Sequence, residues 1–574
     1  MIDIKRFDFN DDAPDKIAVY RRNENSIGEN WPIVYIINND EEAYVGETLN
    51  ASVRARQHLL NGERRKLTEI RILSDDTFNK SVIIDLESYL IKHIASDGKY
   101  VLQNGNNGIQ DHNYYNKAMY AGTFRDIWSK LKSQGVVQQS IEEIENSELF
   151  KYSPYKSLGR EQMLAEMEIL EALSKYKQYP GGSSIVVRGS AGTGKTILGV
   201  YLVKLFADIN ADSKNIFETD EYIDGSSEFV FAAENIQGIE KIGIVVPQES
   251  LKSTLKDVFS KVKNLEEKMV LTPYDVVKDY RDTGKKFDLL VVDEAHRLKC
   301  RWHGHLSNYG NFDGPCEWLG IDKTISSELD WILQCSENQI MFRDELQTVR
   351  PCDLYADEFT RTIEEKYRRP YIELALNVQW RCRGGNEYID YIRNLISHIP
   401  QQKRLFQDYD VKLYNDCDEM IEAIKKKDSE FGLCRNVAGY AWPWKSKSDK
   451  TEYDIIIGSY KYRWNSTAKN WINSSNAINE IGCIHTVQGS DLNYAGVIIG
   501  EDIKYDKEAG TIIADKDCYF DKQGKSGVAN NHEALLEYLK NIYLTLMTRG
   551  IRGTYIYVCD DALREYFAEY FEVV

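Results

Sequence analysis

The sequence predicts a multidomain α/β protein: a small α+β domain, a helical connector, and two lobes built on parallel α/β sheets. Three observations lead there. The chain of 574 residues is long for one core. From about residue 151 onward, the short apolar runs "SSIVVRG", "KIGIVVP", "FDLLVVDE" and "NQIMFRD" alternate with helical stretches and end in polar or Gly turns, as buried parallel strands do. Residues 31–108 instead read as two strands and two helices, closing in the Gly/Asn-rich "LQNGNNG". The expected boundaries are 1–110 for the small domain, 111–150 for the connector, 151–370 for the first lobe and 371–574 for the second.

Composition narrows the class. Hydrophobic residues at 42% and charged residues at 28% describe an ordinary soluble globular chain. No run of about 18 apolar residues marks a membrane span, and the start "MIDIKRFDFNDDAPDK" has no apolar signal region. All ten cysteines lie at position 300 or later without a Cys-x-x-Cys pair. Reduced thiols and a cytoplasmic location are therefore expected. The net charge of −18 argues against a protein coated in nucleic acid, yet a local basic groove remains compatible with it.

Such a local concentration occurs in the small domain. Within and just beyond "AYVGETLNASVRARQHL", Arg54, Arg56, His58, Arg64, Arg65 and Lys66 gather beside one turn. Alone, this reads as a solvated basic face. Tyr35 and Tyr44, however, stand nine residues apart on two expected strands, and Arg54 and His58 are four apart on one helix face. Glu87 follows in an amphipathic helix and Asn104 in "LQNGN". This order resembles the GIY-YIG nuclease family, departing from it at Ile33-Val34-Tyr35, where the first motif lacks its Gly.

The resemblance implies phosphodiester cleavage. Glu87 would ligand Mg²⁺ or Mn²⁺, Arg54 would stabilise charge on the pentavalent phosphate, and Tyr35 would take a proton from the attacking water. Tyr44 and His58 would position water or phosphate, and Asn104 would hold the site together. Arg56, Arg64, Arg65 and Lys66 stay a basic face, turned toward a phosphate backbone.

"GSAGTGKT" fits Gly-x-x-x-x-Gly-Lys-Thr between a candidate strand and the apolar helix "TILGVYLVKLF". Its residues Gly189, Ser190, Ala191, Gly192, Thr193, Gly194, Lys195 and Thr196 form a loop whose N–H groups would face phosphate oxygens. Lys195 would reach the β and γ phosphates and Thr196 would ligand Mg²⁺. In "FDLLVVDEAHR", Asp293 would hold Mg²⁺ through water and Glu294 would activate the attacking water. These residues specify an ATPase core that uses ATP and Mg²⁺.

In order along the chain, the remaining motifs resemble superfamily 1 helicases. "YKSLGREQ" offers Gln162 for adenine. "VVPQES" and "LTPYDVV" sit where such proteins contact nucleic-acid backbone. "MFRDELQ" supplies Asp344 and Gln347, with Arg343 in place of the family's Gly. Arg381 and Arg549 resemble the arginines that clamp a γ-phosphate. "IHTVQGSDLNYAGVIIG" carries His485, Gln488 and Gly489 of the motif linking ATP and nucleic acid, with Asp491 where Glu is usual. "AGYAWPWKSK", "YRWN" and "HTVQGSD" narrow the resemblance to the Schlafen group 3-like helicase domain family over residues 151–574. Trp442, Trp444 and Trp464 read as core rather than as base-stacking platforms. Cys300, His303 and His305 read as a loop rather than a zinc site. Residues 208–240 hold nine acids and one Lys, a surface insertion or a cover rather than a nucleic-acid groove.

Together these expectations describe a metal-dependent endonuclease tethered to an ATP-driven translocase or helicase with RecA-like lobes. ATP would sit between the lobes, and nucleic acid would be the partner, DNA favoured over RNA, in prokaryotic genome defence (antiphage or restriction-like). An ATP-switched sensor with a binding-only nuclease fold and a structure-specific DNA-repair nuclease are the rival readings. A partner protein or homo-oligomer is left open, and no membrane is expected.

Overall fold

The computed structural model describes residues 2–574 apart from positions 23, 106–113, 157, 178, 180, 191, 213–230, 232–233, 237, 302–305, 345–353, 355, 379–381, 468–470, 488–490 and 526–530. The chain forms two compact units, one of Met1–Lys177, Thr196–Ile244 and Ser253–Val270, the other of Gln178–Lys195, Val245–Lys252 and Leu271–Val574. Among the described residues no helix is long and apolar enough to cross a membrane.

The first unit holds the small domain. Its sheet has the order β1-β4-β2-β3-β5, with β1 at Asp3–Asp8, β2 at Ile33–Asn38, β3 at Glu42–Thr48, β4 at Glu69–Ser74 and β5 at Val101–Leu102. β2 and β3 make an antiparallel hairpin in which Tyr35 faces Gly46 and Ile37 faces Tyr44. Asn39 closes the turn, its side-chain oxygen accepting the N–H groups of Glu41 (2.9 Å) and Glu42 (2.7 Å). Helix α1 (Ala51–Leu60) starts on Asn50, whose side chain accepts the Val53 N–H. Helix α2 (Lys80–Asp97) is capped by Asn79 and ends at Gly98 in the left-handed region, at φ 74°. Leu86, Leu90 and Ile94 recur at four-residue spacing and are wholly buried, each worth about 2 kcal/mol of transfer free energy. Two strands escape the sequence pattern. β1, "DIKRFD", is a charged edge strand with no fully buried residue, and β4 completes the sheet between it and β2.

The stretch expected as a helical connector packs on the small domain. Helix α3 (Lys117–Ser133) and the short helices Ile141–Glu145 and Glu148–Lys151 pack on α2, because Phe124, Ile127, Trp128 and Leu131 need a core to enter. The His93 ring lies 4.0 Å from Tyr89, 5.7 Å from Trp128 and 5.2 Å from Phe150, centroid to centroid. Helix α4 (Arg160–Tyr176) follows in the same unit.

In the second unit, four strands pair in parallel in the order β7-β8-β6-β9: β6 Ser184–Gly189, β7 Phe287–Val292, β8 Ser336–Arg343 and β9 Tyr371–Leu376. Beyond β7 the ladder continues, the Asp293 N–H donating to Val245 O at 2.9 Å and the Val246 N–H to Leu271 O at 2.8 Å. The boundary expected at residue 370 thus falls early. β9 pairs with β6, Tyr371 facing Ser184, and belongs to the first lobe. A second sheet, again parallel, runs β10-β14-β13-β11-β12, from Asp410–Tyr414 (β10), Arg435–Ala438 (β11), Ile481–Cys483 (β12), Leu492–Ile499 (β13) and Gly550–Val558 (β14). Trp464 is buried beside it with Trp442 and Trp444 packed around it, so this aromatic cluster is core.

Candidate functional site

The phosphate loop lies between β6 and helix α5 (Lys195–Asp212). Gly192 (φ 87°) and Gly194 (φ 80°) occupy the left-handed region that side chains avoid. At Gly189 the obstacle is space: a Cβ would stand 2.6 Å from Thr193 Oγ1 and 3.1 Å from Leu376 O. The Thr193 hydroxyl donates to Ser190 O at 3.0 Å. The buried Lys195 ammonium donates to Gly189 O (2.6 Å) and Ser190 O (2.9 Å) and stands 3.7 Å from Asp344 Oδ2. An entering phosphate would replace these carbonyls as partner of the ammonium.

β7 is followed by Asp293, wholly buried, and Glu294, which holds φ at 51°. Positive φ on a Glu is a strained conformation of the kind found where a side chain must be aimed. Its carboxylate oxygen lies 3.2 Å from both His296 Nε2 and Arg297 Nε. Burial opposes ionisation of Glu294, but the adjoining His296, Arg297 and Lys195 prevail and hold the carboxyl below the usual range. His296 Nδ1 accepts the Asp344 backbone N–H at 3.2 Å, so the ring proton sits on Nε2, the atom near the Glu294 carboxylate. His296 thereby links the acid at the end of β7 to the acid at the end of β8. A cavity of about 400 Å³ opens beside the loop, with Gly189, Ser190, Asp344, Asn377, Asn386 and Arg393 in its wall.

Other expected residues of this core fall as follows. Gln162 accepts the Gly159 N–H at 2.8 Å at the start of α4, and Thr196 follows Lys195 in the first turn of α5. Arg549 sits just before β14 with only 1% of its surface exposed. Ala191, Gln347, Arg381, Gln488 and Gly489 lie outside the described residues, as do His303 and His305.

A glycine loop between a parallel strand and a helix, with an acid pair following another strand of the same sheet, defines a P-loop ATPase. Residues 182–560 match the family described as Schlafen group 3, DNA/RNA helicase domain. The chain belongs to that family and carries a helicase-like ATPase. An uncharacterized protein of Saccharomyces cerevisiae is 27% identical over 439 residues, spanning 71% of this chain and 88% of its own length. Among solved structures, Pif1 helicase from Bacteroides in complex with ADP-AlF3 and ssDNA aligns at 11% identity and TM-score 0.26, covering 68% of this chain and 91% of that one. The DEAD-box helicase Mss116 bound to ssRNA and UDP-BeF aligns at 14% identity and TM-score 0.34, covering 75% of each. These two alignments are too loose to bear on geometry.

The small domain precedes the matched range and has its own polar cluster. Tyr35 Oη lies 2.7 Å from His58 Nε2 and accepts from Arg54 Nε at 3.4 Å. The Tyr44 ring is 5.0 Å from that of His58 and 6.2 Å from that of Tyr35. Gly46 makes this approach feasible, since a Cβ there would meet Tyr35 Oη at 2.2 Å. Asn104 clamps β3 from outside, donating to Val45 O (2.8 Å) while its oxygen accepts the Val45 N–H (3.0 Å). Glu87 stands half-buried on α2, which packs against β3 and is tied to it by the Lys80–Glu47 ion pair.

One member of this cluster was not expected. Arg64 belongs to the basic run, yet its guanidinium bonds His58 Nδ1 at 3.0 Å and lies 4.1 Å over the Tyr44 ring. Arg56 and Arg65 do keep to the surface, paired with Asp15 and Asp11. Burial first, then the Arg64 and Arg54 charges, push the His58 imidazole well below its ordinary pKa. His58 is therefore neutral at pH 7.

Proposed function

We propose that the chain is an endonuclease coupled to an ATP-driven nucleic-acid translocase or helicase, the small domain cutting and the ATPase controlling the cut. The observation that carries this reading is the convergence on Tyr35 Oη of His58 Nε2 and Arg54 Nε. Two N–H donors on one phenol oxygen favour its ionised form, and that phenolate is the species that would take the proton of an attacking water. Arg54 then lies close enough to offset charge gathering on phosphate oxygens. Tyr44 and His58 wall the site, and Asn104 fixes the strand beneath it.

Among the described residues no three His, Cys, Asp or Glu side chains converge as a ready metal cage. Glu87 is the carboxylate the resemblance offers, and one carboxylate fits Mg²⁺ or Mn²⁺, which otherwise retain water and phosphate oxygens. Bound there, the ion would add Lewis-acid charge to the scissile phosphate. In the ATPase, Asp293 and Thr196 offer hard oxygen donors of the type Mg²⁺ takes. Lys195 would bind the phosphates, Glu294 would orient water, Gln162 would read adenine, and Arg381 and Arg549 would clamp the γ-phosphate. Gln347 and Gly489 would bind the nucleotide, as the helicase resemblance implies. DNA is the favoured substrate, and genome defence of the antiphage or restriction type is the role we attach to it.

The test is a cleavage panel. Purified protein with Mg²⁺ or Mn²⁺ and ATP is offered single-stranded, duplex and branched DNA and RNA, beside Glu87→Gln. Cutting by the wild type and none by the variant is the expected result. No cutting of any substrate would sink the nuclease reading and leave the ATPase standing alone.

A further inference from the structure

We infer that Arg64, outside every motif that marks the small domain, is a positioning residue that sets the tautomer of His58 and so directs an N–H at Tyr35. The inference rests on the nuclease reading for its consequence, but not for its geometry. A guanidinium has only donors. Arg64 Nη1 at 3.0 Å from His58 Nδ1 therefore makes Nδ1 an acceptor, and the ring proton must sit on Nε2. Nε2 is the atom 2.7 Å from Tyr35 Oη. The direction of the Tyr35–His58 hydrogen bond is thus fixed by a third residue: His58 donates and Tyr35 accepts.

Without Arg64 the opposite tautomer becomes available, with Nε2 accepting the Tyr35 hydroxyl proton. The phenol proton would then be held by His58 and its oxygen would lose a donor. Two features show that the placement is built in. The 3₁₀ turn Arg64–Lys66 brings Arg64 back to a histidine six residues earlier, its N-terminal end anchored by Asn61 Oδ1, which accepts the Arg64 N–H at 3.1 Å. The Tyr44 face, 4.1 Å from the guanidinium, holds the cation from the other side. His58 itself is 1% exposed, so water does not compete for either ring nitrogen.

The experiment uses the full chain with ¹⁵N-imidazole-labelled histidine, the His58 signals assigned by His58→Gln. Arg64→Met removes the donor while keeping a long apolar stem over Tyr44, and Arg64→Leu replaces it should the Met variant not fold. Arg64→Lys keeps a donor and a charge. Arg6→Met removes an equal charge from the edge strand β1, where Arg6 pairs with Glu69. The wild type and Arg64→Lys should show His58 protonated on Nε2, and Arg64→Met should move protonation to Nδ1. Nicking should fall by about tenfold or more in Arg64→Met, the scale of a weakened acid–base pair, with KM little changed and part of the rate recovered in Arg64→Lys. If Arg64→Met leaves His58 protonated on Nε2, or Arg6→Met slows nicking as much, the assignment is wrong. If the wild type cuts nothing, the nuclease reading fails, while the imidazole spectra still decide the role of Arg64.

Discussion

Replacing Gly46 by Ala puts the packing of the tyrosine–histidine cluster under direct strain. The new Cβ would stand 2.2 Å from Tyr35 Oη and 2.4 Å from Cζ. Relaxed carbon contacts lie near 3.5–4.0 Å, so the ring would have to retreat by more than about 1 Å. It has little room to do so. Tyr35 is 2% exposed, and its hydroxyl is held by His58 at 2.7 Å. Overpacking of this kind costs about 1–3 kcal/mol, and the displaced hydrogen bond adds about 1 kcal/mol. A Cβ at Gly62 meets nothing within 4 Å, so Gly62→Ala is the matched control and should stay within about 0.5 kcal/mol of wild type. Urea titration of both variants by tyrosine fluorescence, with hydrogen exchange reporting on β2 and β3, reads the difference. If Gly46→Ala unfolds at the same urea concentration as Gly62→Ala and keeps slow exchange in β2, the close packing of Tyr35 on β3 is refuted.

Two further outcomes follow from other sites. Burial lowers the His93 imidazole to about 4 from an ordinary value of 6.5. The unfolded chain therefore binds a proton more readily between those values, and the stability His93 contributes is complete above pH 6.5 and is lost as pH falls toward 4. The loss is on the order of 3 kcal/mol by linkage, and His93→Phe should flatten the decline in urea midpoint between pH 6.5 and 4.5. In the ATPase, His296→Phe should lower kcat by about 10- to 100-fold, since Glu294 loses the group that orients it. ATP binding by a fluorescent analogue should stay near wild type, and equal loss of both would assign His296 to folding instead.

Much of the ATPase core was legible because its chemistry dictates spacing. A loop that turns N–H groups toward phosphate needs Gly at fixed places, and a catalytic acid pair must close a buried apolar strand. The parallel sheets were legible from their Val/Ile runs. Strand partnership was not. "YIELAL" reads equally well in either lobe, and only its pairing with Ser184–Gly189 assigns it. The edge strand "DIKRFD" shows no apolar alternation to find, because none of its residues is fully buried. Tyr35, Tyr44, Arg54 and His58 were found through their order and do lie together. Arg64 was read as surface charge, because a 3₁₀ turn returning a side chain to His58 leaves no periodic signature. His296 was passed over for a similar reason: its value comes from the Asp344 N–H, 48 residues away in sequence.

The most direct measurement of the coupled reading compares nicking and ATP hydrolysis in wild type and Lys195→Ala on one labelled DNA, with and without ATP. Lys195 is buried among the loop carbonyls, so its loss should leave the small domain folded while hydrolysis falls by about 100-fold or more. The expected result is metal-dependent nicking by wild type that changes with ATP, and ATP-insensitive nicking by Lys195→Ala. Nicking that ignores ATP in both proteins, or full hydrolysis by Lys195→Ala, would contradict it.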